Sequence, residues 1–469
     1  MQHQKVKDLR IAYIGGGSRG WAWGFMQDLA ADEEINGVVS LYDIDDDAAR
    51  KNAVIGEKIS NHPEAKSPWR YEVADTLKTA LTGADFVVIS ILPGTFDEMQ
   101  VDVHEPESVG VWQSVGDTVG PGGIMRALRS IPMYVEIAQA IRDYAPNAWA
   151  INYTNPMTIC MRTLYAVYPG IRAFGCCHEV FSTQKLLAAM LEDQHGIPGV
   201  PREQIITGVT GINHFTFLYS ASYGTMDLLP LYRQFVDTYY NTGFVKGKDD
   251  NWMNTAFDTS HRVKFDLFKR YGLIAAAGDR HLAEFMPPWY LKDPDTARFW
   301  GFGLTPVSWR KQDLARRLDK RAKLLSGETP VELTPSGEEG HLLMKALLGL
   351  RDMVSNVNIP NAGQIENLPM GAVVETNALF CRDGIAPVMA GSLPAGVDAL
   401  IMRHVLGQEA LVKAVLCEDR TTVRNVFLND PQLSRVDVKD GEQLFERMVA
   451  GTAKYLPTWM TGQGGTHGT

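Results

Sequence analysis

The chain has 469 residues, of which 45% are hydrophobic and 21% charged. This composition is typical of folded globular proteins and excludes a disordered or fibrous chain. Lys and Arg number 45 against 55 Asp and Glu, which gives a formal net charge of −10. This balance argues against nucleic acid or an anionic membrane surface as a partner. At about 100–200 residues per domain, the length predicts two or three domains.

The first residues are polar, and the longest apolar stretches, such as residues 86–92, are too short to span a bilayer. The five cysteines are an odd number at irregular spacings. This pattern argues against a disulfide framework and favours a reducing compartment. We therefore expect a cytoplasmic protein.

The first half of the chain alternates between strand-like and helix-like periods. Short apolar runs, with helical patterns between them, occur at residues 9–14, 38–42, 85–92 and 148–153. Such alternation predicts βαβ units and a doubly wound parallel sheet covered on both faces, the Rossmann arrangement.

The rhythm changes after about residue 195, where Pro198 and Pro201 interrupt the chain. Longer helical patterns follow at residues 226–241, 309–325 and 338–354. We predict a Rossmann domain over residues 1–195. Residues 196–469 are predicted to form a C-terminal α/β domain for substrate binding, catalysis and oligomerisation.

The basic segment 309–325 has Leu314, Leu318 and Leu325 at helical spacing. This pattern predicts an amphipathic helix that packs through the leucines and exposes its charges to solvent.

A glycine loop follows the first predicted strand and precedes a helical pattern. Gly15, Gly17 and Gly20 fit G-x-G-x-x-G, with Ser18 inside the loop. The first glycine permits the tight turn, the second lets the backbone approach a pyrophosphate, and the third lets helix and strand pack closely. The loop therefore predicts a dinucleotide site at the amino-terminal end of a helix.

Asp43 ends the second predicted strand, at the distance from the loop where an acidic residue accepts hydrogen bonds from the adenosine ribose. A carboxylate at this position would repel a 2′-phosphate, so NAD is favoured over NADP. The alternative is that Asp43 is a turn residue in the acidic run 43–47.

The sequence resembles glycoside hydrolase family 4, the NAD-dependent glycosidases. Besides the glycine loop, the motifs that carry the resemblance stand in the family's order at residues 116–123 (GDTVGPGG), 154–156 (TNP), 177–180 (CHEV), 211–215 (GINHF) and 365–369 (IENLP). Asn361 precedes the last of them. A Cys-His-Glu-Val motif resembles that of the α-galacturonidase subgroup, so Glu179 bears most of the substrate assignment.

The resemblance implies a mechanism outside the usual two-carboxylate scheme of glycosidases. NAD+ would oxidise C3 of the sugar, a base would remove the C2 proton, and the glycosidic oxygen would leave by β-elimination. Water addition at C1 and return of the hydride to C3 would complete hydrolysis, so NAD would be recycled.

The resemblance also implies that Cys177 and His214 hold one Mn2+ or another divalent ion. Asp279 is the candidate base for C2, with Tyr271 and Tyr290 as alternatives from the 6-phospho branch of the family. Asp117 and His178 are both candidates to protonate the leaving oxygen, and the sequence does not separate them.

The remaining candidates would bind substrate. Asn155 would hold the C2 and C3 hydroxyls or the nicotinamide, and Glu179 would line the sugar site. A uronate needs a cation for its carboxylate, preferably a guanidinium. Arg280, beside the predicted base, is the first choice, with Arg126 and Arg129 as alternatives.

The expected activity is hydrolysis of α-galacturonides, as small oligogalacturonides, by a homodimer or homotetramer. Three alternatives remain open. The first is an α-glucosidase, α-galactosidase or α-glucuronidase of the same family, and the second is a simple NAD-dependent sugar dehydrogenase. The third is a catalytically silent sensor that binds sugar or NAD and cleaves no glycoside.

Overall fold

The structure is a computed structural model that describes residues 5–245 and 259–462. Six parallel strands form one side of its larger sheet: β1 (Val6–Ile14), β2 (Ile35–Tyr42), β3 (Trp69–Val73), β4 (Phe86–Ile89), β5 (Trp149–Asn152) and β6 (Arg172–Gly175). Their order is β3-β2-β1-β4-β5-β6. This is the doubly wound order of dinucleotide-binding domains, so the predicted Rossmann fold is confirmed.

The helices of this half follow the strands in alternation. They are α1 (Trp21–Ala31), α2 (Asp46–Ser60), α3 (Leu77–Leu81), α4 (Phe96–His104), α5 (Gly120–Tyr144), α6 (Met157–Val167) and α7 (Glu179–His195). Continuous apolar strands such as β4, all four residues of which are buried, allow packing on both faces of the sheet.

The second half contributes helices α8 (Leu229–Tyr239), α9 (Arg262–Tyr271), α10 (Asp279–Phe285), α11 (Pro294–Phe299), α12 (Val307–Ser326), α13 (Gly340–Leu347), α14 (Val397–Leu416), α15 (Arg420–Leu428), α16 (Val438–Thr452) and α17 (Thr458–Thr461). Its strands are β7 (Ile205–Ile212), β8 (Phe215–Tyr223), β9 (Met226–Asp227), β10 (Ile274–Ala275), β11 (Met353–Pro360), β12 (Val373–Cys381) and β13 (Gly384–Pro387).

The two halves share a sheet. Strand β11 pairs antiparallel with β6, and β12 and β13 continue outward from it, which gives nine strands in all among the described residues. Strands β7, β8, β9 and β10 form a smaller antiparallel sheet, in which β9 pairs with β8. The amide of Val209 in β7 donates to Asn377 of β12, at 2.7 Å, and so ties the two sheets together.

Two predicted helices differ from the observed ones. The pattern over residues 338–354 is a helix only as far as Leu347, because Gly349 takes a left-handed φ of 75° and β11 begins at Met353. The helix predicted over residues 309–325 is α12, but Leu318 is exposed whereas Arg321 is buried. The prediction that α12 turns its charges to solvent is therefore wrong for Arg321.

Among the described residues, no helix combines the length and the apolar character that crossing a membrane requires.

Candidate active site

The glycine loop is shaped by close approach to two strands. Gly15 has a φ of 94°, and a Cβ there would lie 2.0 Å from the carbonyl oxygen of Ser90, so only glycine fits. The loop leads into α1, whose first N–H groups have no partner inside the helix. This cradle fits the phosphates of a dinucleotide.

The side chain of Asp43 contacts the glycine loop. Its carboxylate accepts hydrogen bonds from the amide of Gly17, at 2.8 Å, and from the amide of Asp45, at 2.9 Å. Burial raises its pKa, and the two amide hydrogen bonds oppose that shift. The carboxylate therefore fixes the shape of the loop, and its contact with the adenosine ribose stays a prediction.

Three side chains that can bind a metal converge beyond the loop. One donor atom each from Asp117, His214 and His281 lies within 4.8 Å of the other two. His214 occupies the two-residue turn between β7 and β8 with a left-handed φ of 62°, a conformation that is unfavourable for residues other than glycine. His281 lies on α10, and the two imidazole centroids are 3.8 Å apart.

Thr118 sets the tautomer of His214. Its hydroxyl donates to the Oδ1 atom of Asp117, at 2.7 Å, and lies 2.9 Å from Nδ1 of His214. Since the only hydroxyl proton points to the carboxylate, Nδ1–H of His214 donates to the hydroxyl oxygen. The lone pair then lies on Nε2, the form of histidine that binds metal ions.

The charges of this group suit a cation. Burial lowers the pKa of His214 to about 3, so its imidazole is neutral at pH 7. Burial opposes ionisation of Asp117 as well, but His281, Arg126 and His214 outweigh it and hold the carboxyl pKa below its ordinary range. A neutral imidazole beside an ionised carboxylate is a donor set that fits Mn2+.

Glu179 adds a second negative charge. It begins α7, and its Oε1 lies 3.6 Å from Nε2 of His281, while its Oε2 accepts from the amide of Gly278, at 2.6 Å. Burial opposes its ionisation, yet the neighbouring imidazoles of His281 and His214 lower its pKa to about 2. Glu179 therefore faces the imidazole pair as a carboxylate.

Cys177 lies behind this group rather than within it. It is buried, and the side chain of Asn213, the neighbour of His214 in the hairpin turn, lowers its thiol pKa against the larger effect of burial. It does not belong to the Asp117, His214 and His281 group among the described residues. The structure thus places Cys177 near His214, and its role as a ligand stays a prediction.

Two buried carboxyl groups, those of Glu284 and Glu375, support this arrangement. Oε1 of Glu284 accepts from the amides of Val115 and Gly116, at 2.7 and 2.9 Å, and so holds the loop that carries Asp117. Glu375 of β12 accepts from Asn213, at 3.2 Å, and thereby orients the turn that carries His214. Burial raises the pKa of each carboxyl to about 7. Neither role has a local sequence signal.

The predicted base lies on the other side of α10. Residues two positions apart on a helix point about 200° apart, so Asp279 and His281 face different neighbours. The Asp279 carboxylate accepts from the amides of Val263 and Lys264 in the first turn of α9. The structure therefore brings His281, and not Asp279, to the imidazole cluster.

The alternative bases are also engaged elsewhere. Tyr290 is buried and its hydroxyl donates to Asp266, at 2.5 Å. Tyr271 packs against a hydrophobic cluster that includes Phe215 and Phe217 of β8.

Two of the arginines predicted to bind the substrate carboxylate have hydrogen-bond partners within the protein. Arg129 is bound to the Asp102 carboxylate through both terminal nitrogens, and both side chains are buried. The guanidinium of Arg280 donates to the carbonyl oxygens of Ser114 and Gly303 and to the Thr305 hydroxyl. These contacts give Arg129 a structural role. Arg280 also interacts electrostatically with Glu284, Glu179 and Asp117, so its contact with the substrate stays a prediction.

Two other arginines interact electrostatically with the Asp117 carboxylate. Arg126 donates from Nε to the carbonyl oxygen of Asn155, at 3.0 Å, and acts electrostatically on Asp117. Arg310, in the first turns of α12, also interacts electrostatically with Asp117 and Arg126. Arg310 was not predicted, because the charged side chains of its helix were expected to be exposed to solvent.

His178 and Asn155 complete the surroundings. Nδ1 of His178 lies 3.2 Å from a carboxylate oxygen of Glu338. The side-chain oxygen of Asn155 is buried without a hydrogen-bond partner among the described residues. A buried acceptor of this kind fits a polar ligand.

Fold and site define a class of protein in which a Rossmann domain carries a metal-binding polar cluster beside its dinucleotide loop. The chain belongs to the family 4 glycosyl hydrolases: the family model matches residues 10–193, and the model of the family's C-terminal domain matches residues 209–433.

Several relatives are similar to this chain over nearly their whole length. The chain is 59% identical to an α-galacturonidase of Thermoanaerobacterium saccharolyticum, over 97% of this chain and 98% of the relative. It is 53% identical to an α-galacturonidase of Bacillus subtilis, over 95% and 97% of the two chains. An α-galactosidase of Bacillus subtilis is 27% identical, over 96% and 99%.

Solved structures share the whole fold. The lplD protein of Bacillus subtilis is 52% identical with a TM-score of 0.89, over 94% of this chain and 100% of that one. A 6-phospho-α-glucosidase from gut microorganisms, solved with NAD and Mn2+, is 19% identical with a TM-score of 0.79, over 96% and 99%. The second likeness supports the fold.

Proposed function

We propose that this chain is an α-galacturonidase that uses NAD and Mn2+ or another divalent cation. The observation that carries the proposal is the identity of 50–59% to four α-galacturonidases over 95–97% of the chain. The galactosidase and glucosidase relatives are only 26–27% identical. The convergence of Asp117, His214 and His281 supplies the chemistry that such an activity needs.

The loop of Gly15, Gly17, Ser18 and Gly20, with Asp43 behind it, would hold NAD. His214 would hold the cation together with Cys177, and Asp117 and His281 lie beside it. When bound, NAD supplies reversible hydride transfer at C3 of the sugar, and the cation supplies Lewis-acid stabilisation of negative charge on the sugar oxygens.

Proton transfer falls to the histidines. We assign the C2 base to His281 in place of Asp279, because burial lowers its pKa and keeps the imidazole neutral, and its buried Nδ1 has no partner among the described residues. Asp117 is ionised and holds no proton to donate. We therefore assign protonation of the leaving oxygen to His178, whose Nδ1 faces the Glu338 carboxylate.

Substrate recognition follows from charge and position. Arg310 and Arg126 are proposed to bind the uronate carboxylate. The guanidinium group of Arg280 already donates to backbone carbonyl oxygens, and that of Arg129 is paired with Asp102. Asn155 would accept a hydrogen bond from a sugar hydroxyl or from the nicotinamide through its unpartnered oxygen.

We also propose that the enzyme acts in the cytoplasm as a homodimer or homotetramer on small oligogalacturonides. Light scattering coupled to size-exclusion chromatography measures the assembly. A monomer at micromolar concentration would contradict this part of the proposal.

The activity is tested with digalacturonate and matched α-galactosides and α-glucosides, each with NAD+, Mn2+ and a thiol reductant. We expect digalacturonate to be cleaved fastest, without net accumulation of NADH, and C2–deuterium to exchange with solvent. NADH that grows in step with product would identify a sugar dehydrogenase instead. Faster cleavage of a neutral glycoside would contradict the uronate assignment and leave the family chemistry intact.

A further inference from the structure

Helix α12 comes from the second half of the chain but lies across the Rossmann half. At its first turns Lys311 pairs with Asp97 of α4, at 2.6 Å. At its far end the Lys58 ammonium of α2 donates to the carbonyl oxygens of Leu324 and Leu325, at 2.7 and 2.8 Å. The helix therefore bridges α4 and α2, the elements on either side of the glycine loop.

Two arginines of α12 turn toward that loop. Arg317 donates to the carbonyl oxygen of Arg19, at 3.3 Å, and Arg321, one helical turn further on, interacts electrostatically with Arg19, Asp45 and Asp47. Since residues four positions apart lie on the same face of a helix, α12 presents both guanidinium groups to the loop.

The hydrogen bonding here is incomplete. Arg321 is 8% exposed, and its Nη1 atom is buried without a hydrogen-bond partner among the described residues. Nε of Arg19, inside the glycine loop, is buried and without a partner in the same way. Asp45 pairs with Arg19 at 2.9 Å, but the Asp45 side chain is half exposed. Two buried guanidinium donors without acceptors point to an anionic ligand between them.

We propose that Arg321, together with Arg19, binds the phosphates of the dinucleotide, so that α12 closes over the cofactor from the C-terminal half. This inference rests on the proposed function only in that it takes NAD as the ligand.

The chemistry of the site favours a phosphate group. In a Rossmann domain the pyrophosphate lies on the glycine loop at the start of the first helix, and Arg19 stands in that loop. The planar guanidinium group offers paired N–H donors whose geometry matches phosphate oxygens. A ligand held from both halves should also raise the resistance of the protein to thermal unfolding.

The test compares Arg321→Ala and Arg321→Lys with Lys320→Ala, a matched control on the same helix whose side chain is exposed. Isothermal titration calorimetry measures the Kd of NAD+, ADP-ribose and adenosine for the full-length protein. We expect Arg321→Ala to raise the Kd of NAD+ and of ADP-ribose about ten- to a hundredfold, as the loss of a charge-assisted hydrogen bond does. Arg321→Lys should restore part of the affinity, and Lys320→Ala should change nothing.

Adenosine separates a phosphate contact from a general loss of the site, because it carries no phosphate. Its Kd should be equal in all variants, and the Tm without ligand shows whether Arg321→Ala folds normally. An unchanged Kd for NAD+ in Arg321→Ala and Arg321→Lys would overturn the inference, and so would an equal loss of adenosine affinity. Tight, Arg321-dependent binding of ADP-ribose by a protein that cleaves no galacturonide would overturn the proposed function and leave this inference standing.

Discussion

Binding of Mn2+ should release a proton from Cys177. Measuring this release shows whether Cys177 is one of the metal ligands. Burial, together with Glu375 and Glu179, raises the thiol pKa well above its ordinary value, so the metal-free protein carries a neutral thiol at pH 8. Only the thiolate binds a metal ion, so an ion that Cys177 ligates must displace its proton. His214, with a pKa of about 3, and Asp117, whose pKa is also lowered, have no proton to release at pH 8.

The release of one proton also sets how strongly the affinity for Mn2+ depends on pH. One proton released per ion makes the association constant rise tenfold per pH unit, or about 1.4 kcal/mol. Between pH 8.0 and 8.5 the affinity should therefore rise about threefold. This range lies above the pKa of about 7 of Glu375 and of Glu284, so these carboxyl groups are largely ionised and add little to the release.

The assay is calorimetric titration of Mn2+ into metal-free protein at pH 8, in two buffers with different heats of ionisation and with reductant present. The unaltered protein should release about one proton per ion, and Cys177→Ser should bind more weakly and release none. A release near zero in the unaltered protein would refute ligation by Cys177 and leave Asp117, His214 and His281 as the donors.

Three further predictions address recognition and stability. Arg310→Ala should lower kcat/KM for digalacturonate about 30- to 1000-fold through loss of a charge pair; an equal loss on a neutral α-galactoside would contradict the role. Arg129→Met leaves the buried Asp102 unpaired and should lower the free energy of unfolding by about 3–5 kcal/mol, measured by urea denaturation; wild-type stability would show that the pair contributes nothing. Burial raises the pKa of Asp28 to about 7. Between about pH 4 and 7 the unfolded chain therefore binds fewer protons than the folded one, and this component of stability falls as pH rises. Asp28→Asn should flatten the pH dependence of the free energy of unfolding over that range. An unchanged pH dependence would contradict the raised pKa of Asp28.

The Rossmann half was predictable because its signals are local. Strand β4 and the second half of β1 are continuous apolar runs, and the glycine loop directly follows β1. The pairing of β11 with β6 was not predictable, since it joins segments about 180 residues apart and runs antiparallel to the rest. Nothing in either segment specifies the other as its partner.

The candidate site also contains residues that the sequence predicted and residues that it did not. Asp117 and His214 stand in motifs that carry the family resemblance, and the structure brings them together. The choice between Asp279 and His281 depends on which face of a two-turn helix meets the site, and the sequence alone leaves that face open. Glu284 acts through backbone amides of a distant loop, a contact that no local pattern encodes.

The geometry of α12 leads to a last prediction, that the cofactor and the uronate bind cooperatively. Arg310 and Arg321 are eleven residues apart on one helix, about 16 Å along its axis, so the same rigid element meets the sugar site and the glycine loop. A dinucleotide that fixes the Arg321 end should hold Arg310 in place for the carboxylate. Galacturonate should then bind more tightly with NAD+ present, and NAD+ more tightly with galacturonate present by the same factor, because coupling between sites is reciprocal. Calorimetric titration of galacturonate with and without NAD+ measures that factor, and Arg321→Ala should reduce it. Equal affinities in the unaltered protein would show that α12 does not couple the two sites.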